Sequence, residues 1–367
     1  MRRFLSGDRV FISLVLLIAL AGLAIFSSAT LGLLARQDAS ISKDILLQAG
    51  LGLGLGFLAL LATRAIPMRW YREYAPHLFI ASLVFTALVF VPGLGLHANG
   101  ATRWINVGFT TIQPAEFLKI GVVLFLAWWL APRARHLRDY KQGLLPFLAI
   151  LALPAGLLLA QPNTSTTMLI IMTAGVMYFA AGAPWRDFGI LIGLAALALV
   201  IVVIARPYVL QRFETFLHPD AHSLSSGYQI QQSLIAIGSG EMLGRGFGQS
   251  VEKFNYLPEP DGDSVFAVYA EETGFVGSAL LLFLFVAIAA RGIVIAGDSR
   301  ELFGGLIALG FSFLIITQAF INMSAMLGII PLTGLPLPFV SHGGTALVAV
   351  LIMCGLILNV AGGKKSA

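Results

Sequence analysis

VFAVYAEETGFVGSALLLFLFVAIAA, residues 265–290, carries only two charged side chains, Glu271 and Glu272. It exceeds the roughly 20 apolar residues that cross a bilayer as a helix. Nine more apolar stretches follow from the same reading, at 10–34, 45–62, 78–91, 114–130, 144–159, 166–181, 188–204, 302–321 and 346–360. Several are shorter than a full crossing, so flanking residues must complete them or the helices lie oblique. The expected fold is therefore all-α: a polytopic integral membrane protein of about ten helices, with 1–367 forming a single transmembrane domain. Residues 206–264 are too long for an ordinary connection and form a large extracytoplasmic loop between the seventh and eighth spans.

Composition agrees. Charged residues make up 11% of the chain and apolar residues 58%, against roughly 25% and 45–50% in soluble domains. The excess of 23 Lys and Arg over 18 Asp and Glu is spread between the spans and not gathered on one soluble face, which speaks against a nucleic-acid partner. With the amino terminus in the cytoplasm, the inside segments hold Arg2, Arg3, Arg9, Arg64, Arg69, Arg72, Arg133, Arg135, Arg138, Lys141, Arg186, Arg291, Arg300, Lys364 and Lys365. That is the positive-inside bias, and it puts both termini in the cytoplasm. Trp70, Trp128, Trp129 and Trp185 fall at the same boundary, as an interfacial belt requires. The first apolar run is too long for a cleavable signal peptide and reads as a signal anchor. Cys354 is the lone cysteine, which leaves no intramolecular disulfide.

Only four charged residues sit well inside the spans: Glu116, Lys119, Glu271 and Glu272. A charge in hydrocarbon costs roughly 2.5 to 3.5 kcal/mol, so such residues mark polar cavities or pairs. Glu116 and Lys119 share a helix face three residues apart and read either as a structural ion pair or as part of a cavity wall. Glu271 and Glu272 lie roughly 12 to 14 Å beyond Asp263 if the helix is continuous, and a structural role is favoured for them. Asp263 directly precedes the eighth span, where it reads either as a helix cap or as a reactive carboxylate crowded by Glu259 and Asp261. His218 and His222 have helical metal-ligand spacing, but Pro219 stands between them without a third ligand, so they read as surface residues. Residues 328–344, with Pro331, Pro336 and Pro338, are non-helical at membrane depth and must be buried or line a watery cavity.

The run YLPEPDGDSVFAVYAEETG, 256–274, resembles the signature of the SEDS family (shape, elongation, division and sporulation), which includes the RodA and FtsW proteins. GATRWINVG at 100–108, QPAEFLK at 113–119, GYQIQQSLIAIGSG at 227–240 and GIIPLTGLPLPFVSHGG at 328–344 resemble its other blocks, in the family's order. RodA is the nearer resemblance, through the short cytoplasmic ends. The resemblance implies a peptidoglycan glycosyltransferase that polymerises lipid II at the outer face of the bacterial cytoplasmic membrane, in cell elongation and shape. It implies a class B penicillin-binding protein as transpeptidase partner, together with other elongation-complex proteins. The family's catalytic aspartate falls on Asp263. Glu116, Lys119, Arg103, Trp104, Ser341 and Gly343 fall on substrate-binding or cavity positions, and a divalent cation, Mg or Mn, is admitted as cofactor. Asp261, Gly262 and Ser264 stand where the family has His, Thr and Phe, while Asn163 and His342 replace an Asp and a Tyr.

The chemistry also follows without the family. Joining sugars from a polyprenyl diphosphate donor needs one carboxylate to take the acceptor hydroxyl's proton and positive charge to receive the leaving diphosphate. Asp263, with Lys119 or Arg103, meets both needs. A flippase of the lipid-linked precursor is the alternative, which predicts paired interrupted helices around a midplane site. A weaker one is a scaffold that only activates its penicillin-binding partner.

Overall fold

The computed structural model describes residues 8–34, 47–98, 101–108, 111–218 and 226–363. Arg9–Leu34 forms α1. Leu47–Leu55 winds as a π-helix that runs into α2, Gly56–Ala65; alternating glycines, poor helix formers, allow the wider winding there. α3 is Met68–Ala87. A small antiparallel sheet follows, with β1 at Gly95–Ala98, β2 at Ala101–Asn106 and β3 at Thr111–Ile112, in the order β1-β2-β3. Then come α4 Pro114–Arg133, α5 Leu144–Ala160, α6 Thr164–Ala180 and α7 Trp185–Ala205. The long connection is itself helical, with α8 Pro207–Leu217, α9 Ser226–Ser239 and the single turn α10 Glu252–Asn255. α11 Val265–Gly297, α12 Leu302–Met326 and α13 Gly344–Gly362 complete the chain.

Seven of these helices are long and apolar enough to cross a membrane, and three shorter apolar ones (Gly52–Ala65, Leu144–Ala160 and Thr164–Ala180) bring the candidates to 7 + 3 = 10. The protein is a multi-pass membrane protein. The third span starts at Met68 and not at residue 78, because its first turns, MRWYREYA, are interfacial and carry no apolar signal. α4, α12 and α13 form the centre: their apolar windows are 72%, 67% and 67% buried within the protein, against 6% for α7. α7 therefore offers nearly its whole surface to lipid. The expected tryptophan belt is split, with Trp70 and Trp185 exposed and Trp129 buried in the core.

α11 is not continuous. Gly274 sits at φ 67°, ψ −163°, a conformation essentially reserved for glycine, and the helix breaks there. The break is filled by backbone from the connection. Arg245 and Gly246 amides donate to the Glu271 and Glu272 carbonyls, both at 3.0 Å, while Phe275 and Val276 amides donate to Glu241 and Met242 carbonyls at 2.9 and 3.1 Å. Every one of these groups would otherwise be unsatisfied inside an apolar span. The approach is too close for side chains: a Cβ on Gly274 would lie 2.4 Å from the Gly244 nitrogen, and one on Gly244 2.2 Å from the Glu272 carbonyl oxygen.

Glu271 and Glu272 serve this junction. Glu271 accepts from Ser250 Oγ at 2.6 Å and from the Val251 amide at 3.0 Å. Glu272 pairs with the fully buried Lys253 at 2.6 Å and accepts from Ser28 Oγ on α1 at 2.7 Å. Lys253 was hidden in the sequence because it lies in the polar connection, where nothing marks it as buried. His218 ends α8, and His222 lies outside the described residues.

Candidate active site

The segment before α11 is bent into a tight turn, in which the Gly262 and Ser264 amides both donate to the Glu259 carbonyl, at 3.1 and 3.2 Å. Glu259 takes φ 46° to make it. Three side chains or amides from the other end of the chain fix this turn. Asn322 on α12 donates to the Asp263 carbonyl at 2.9 Å and to Leu335 at 2.8 Å. Ser341 Oγ donates to the Gly262 carbonyl at 2.8 Å while accepting from the Leu337 amide at 2.7 Å. The His342 amide donates to the Asp261 carbonyl at 2.6 Å. The non-helical run 328–344 is thus the second wall of the site, clamped to the Asp263 turn by the Ser341 hydroxyl and the His342 amide. Gly334, at φ 66°, comes so near that a Cβ there would lie 3.3 Å from Asp263 Oδ2.

Asp263 does not cap α11, whose preceding residue is Ser264 and which has no side-chain cap bond. Its half-buried carboxyl faces Arg103 and Arg212, and its pKa is raised from the ordinary 3.8 to about 6. Burial is the largest cause, Glu259 adds to it, Arg212 and Arg103 oppose it, and Asp261 raises it further. Arg103, on β2, donates Nε to the Gln161 carbonyl at 3.3 Å and an Nη to the Pro162 carbonyl. Arg212, on α8, reaches the Thr333 carbonyl at 3.4 Å. Burial and mutual repulsion lower the Arg103 pKa, and burial that of Arg212; both stay charged, as guanidinium groups do in proteins. Two cations held close together against repulsion, beside a carboxylate poised near neutral pH, form a ready receptor for a multiply charged anion.

The other candidate residues are placed as follows. Lys119 is fully buried, 2.8 Å from the Glu116 carboxylate, and donates to Gln318 Oε1 at 2.8 Å. Because an ammonium only donates, it fixes which way the Gln318 amide points, and Gln318 Nε2 in turn donates to the Pro336 carbonyl at 2.8 Å. The Glu116–Lys119 pair therefore supports the 328–344 wall from behind; it is not joined to Asp263 by any direct contact. Trp104 follows Arg103 on β2, where the register shifts: Leu96 pairs with Trp104 and His97 with Thr102, which leaves Arg103 as the extra residue of a bulge. Gly343, at φ 144°, opens the start of α13. Asn163 caps α6, accepting from the Thr166 amide at 3.4 Å. His342 Nδ1 lies 3.4 Å from Asp261 Oδ2. Arg212 was missed from the sequence: it lies in a short amphipathic helix of the connection, PYVLQRFETFL, where a charge on the polar face is ordinary, and only the fold brings it to Asp263.

A family model for cell cycle proteins of the FtsW, RodA and SpoVE type matches residues 8–366. The chain belongs to this family. Stage V sporulation protein E of Bacillus subtilis is 38% identical over 308 residues, covering 84% of each chain. A probable peptidoglycan glycosyltransferase FtsW of Coxiella burnetii is 38% identical over 314 residues, covering 85% of this chain and 84% of its own. Among solved structures, a chain from a peptidoglycan synthase complex that coordinates polymerization and crosslinking superposes with a TM-score of 0.80 at 32% identity, covering 97% of this chain and 98% of that one. The rod shape determining protein RodA of Thermus thermophilus gives 0.72 at 30% identity, covering 99% of both.

Proposed function

We propose that the chain is a peptidoglycan glycosyltransferase that polymerises lipid II at the outer face of the cytoplasmic membrane, with both termini inside. The carrying observation is the Asp263 carboxyl, raised to about 6 and set against Arg103 and Arg212. In this mechanism Asp263 takes the proton of an acceptor sugar hydroxyl. The hydroxyl oxygen bonds to the donor's anomeric carbon as that carbon's bond to the diphosphate oxygen breaks, and the electron pair leaves with the diphosphate. Arg103 and Arg212 receive the charge that develops there. A diphosphate leaves without being protonated, so one carboxyl group suffices, unlike the two of an ordinary glycosidase.

A divalent cation would add Lewis-acid charge at the same diphosphate. Among the described residues no three His, Cys, Asp or Glu side chains converge as metal ligands, and no step of the proposed mechanism runs through such an ion. The partner of this reading is a class B penicillin-binding protein, as the relative solved within a synthase complex suggests. Relatives found by sequence carry sporulation and division names and a solved one an elongation name, so depletion decides the cell role: rounded cells mean elongation, filaments mean division.

The test is incubation of the purified chain with lipid II, with and without that partner, and sizing of the glycan. Polymer from the parent and none from Asp263→Asn is expected. Lipid II translocation without polymer from the parent, with the partner present, would move the assignment to a flippase.

A further inference from the structure

At the end of the bundle opposite Asp263, a cavity of about 720 Å³ opens between the α2–α3 corner, the α11–α12 corner and the end of α13. Among the described residues its charged lining is Arg64, Arg69, Arg72, Arg300 and Glu301: four guanidinium groups and one carboxylate. Glu301 is engaged by Arg72, which also lies over the Phe303 ring at 5.0 Å. Two long helices start at this cavity, α3 after Pro67 and α12 after Glu301, and neither has a side-chain cap bond. Each brings the positive end of its dipole and first-turn amides that the regular helix pattern leaves without partners. Guanidinium groups together with two open helix starts make an anion receptor of the kind that takes phosphate.

The walls are fixed in advance. Asn359 on α13 donates to the Thr63 carbonyl at 2.9 Å and to the Arg64 carbonyl at 3.1 Å, closing the end of α2. Tyr71 on α3 donates to Thr63 at 2.9 Å. α2 and α13 pack so closely that a Cβ on Gly355 would lie 2.5 Å from the Leu60 carbonyl oxygen. Apart from Ser299 and Asn359, the remaining lining is apolar and includes Leu61, Met68 and Leu358. Above the mouth, Leu58 and Leu61 continue up the exposed face of α2, in the direction of the bilayer interior. A basic pocket between membrane helices with an apolar path leading out of it matches the shape of a phospholipid, phosphate in and chains along the helix.

We propose that this cavity is a binding site for a phosphate ester, supplied by the headgroup of an anionic phospholipid of the adjacent leaflet, and separate from the Asp263 site. Full-length protein in detergent is titrated with phosphatidylglycerol or phosphatidylcholine and retained lipid is counted by native mass spectrometry; in parallel, lipid-free protein is dialysed against radiolabelled orthophosphate. Preferential retention of phosphatidylglycerol is expected. It should fall about fivefold in Arg69→Gln, in line with the ~1 kcal/mol that a basic residue contributes at an anionic surface. In Arg64→Gln/Arg69→Gln/Arg300→Gln it should fall on the order of 100-fold. Orthophosphate binding that the same variants abolish, without lipid preference, would keep the phosphate site and assign it to a soluble source. Equal retention of both lipids together with no orthophosphate binding, or retention and binding unchanged in the variants, overturns the proposal. Arg69 is exposed, so its single variant remains informative if the triple variant fails to fold.

Discussion

Replacing Asp263 by Asn should make the protein more stable and inactive at once. The carboxyl titrates near 6 in the folded chain against an ordinary 3.8, a difference of 6 − 3.8 = 2.2, and at about 1.36 kcal/mol per unit its ionised form costs about 3 kcal/mol relative to the unfolded chain. The sign follows from linkage: a raised carboxyl pKa leaves stability intact below the unfolded value, and stability falls as pH rises between about 4 and 6, then stays level. Asn carries no charge and escapes this cost. The gap between variant and parent should therefore be near zero at pH 4, open through pH 5, and reach at most about 3 kcal/mol at pH 7.5. Thermal unfolding of both proteins in the same detergent across that range measures it, beside lipid II polymerisation, which should drop by roughly 10² to 10⁴. A variant less stable than the parent at pH 7.5, or a gap that does not change between pH 4 and 7, would refute the assignment of strain to this carboxylate.

Polymerisation by the parent should rise with pH through about 6 as Asp263 ionises, read as kcat/KM against pH; a flat profile from 5 to 7.5 removes Asp263 as the base. Arg212→Gln should lower turnover with folding unchanged, whereas Lys119→Ala leaves Glu116 buried without its cation and should cost about 3 to 5 kcal/mol of stability. Glu116→Gln with Lys119→Met should recover most of that stability, and loss of Tm by Arg212→Gln equal to that by Lys119→Ala would reverse the two roles. Gly274→Ala meets the Gly244 backbone at 2.4 Å in a conformation closed to alanine, and should lose about 2 to 5 kcal/mol from strain and overpacking together; an unchanged Tm would mean the break is not required. For orientation, Gln249→Cys in a Cys354→Ala background should react with an impermeant thiol reagent on intact spheroplasts and Tyr140→Cys should not.

The ten apolar segments were legible because hydrocarbon imposes a length and a composition on any helix that crosses it. The interfacial start of α3, with Arg69, Trp70 and Arg72, was not, since those residues satisfy the headgroup region as readily as water. Asp263 was found through its neighbours in sequence; Arg212, some fifty positions earlier, reaches it only through the way α8 packs, and nothing local announces that. The break at Gly274 escaped for a related reason. A glycine in an apolar run reads as a small packing residue, and the backbone that fills the gap comes from 241–246, which looks like an ordinary glycine-rich turn. Lys119 was visible as a charge, but whether it serves substrate or scaffold depends on Gln318, on another helix.

The stitched gap in α11 has a consequence for how the chain is assembled. A continuous span can enter the bilayer as soon as it leaves the ribosome, because its backbone is complete in itself. Here residues 275–297 can do so, but 265–273 reach their final position only once 241–246 has been threaded between the two pieces. The turn bearing Asp263 is attached to the outer piece. The place of the Asp263 turn thus depends on backbone lent by another part of the chain, and a molecule in which 241–246 has not reached the break lacks the support that holds that turn.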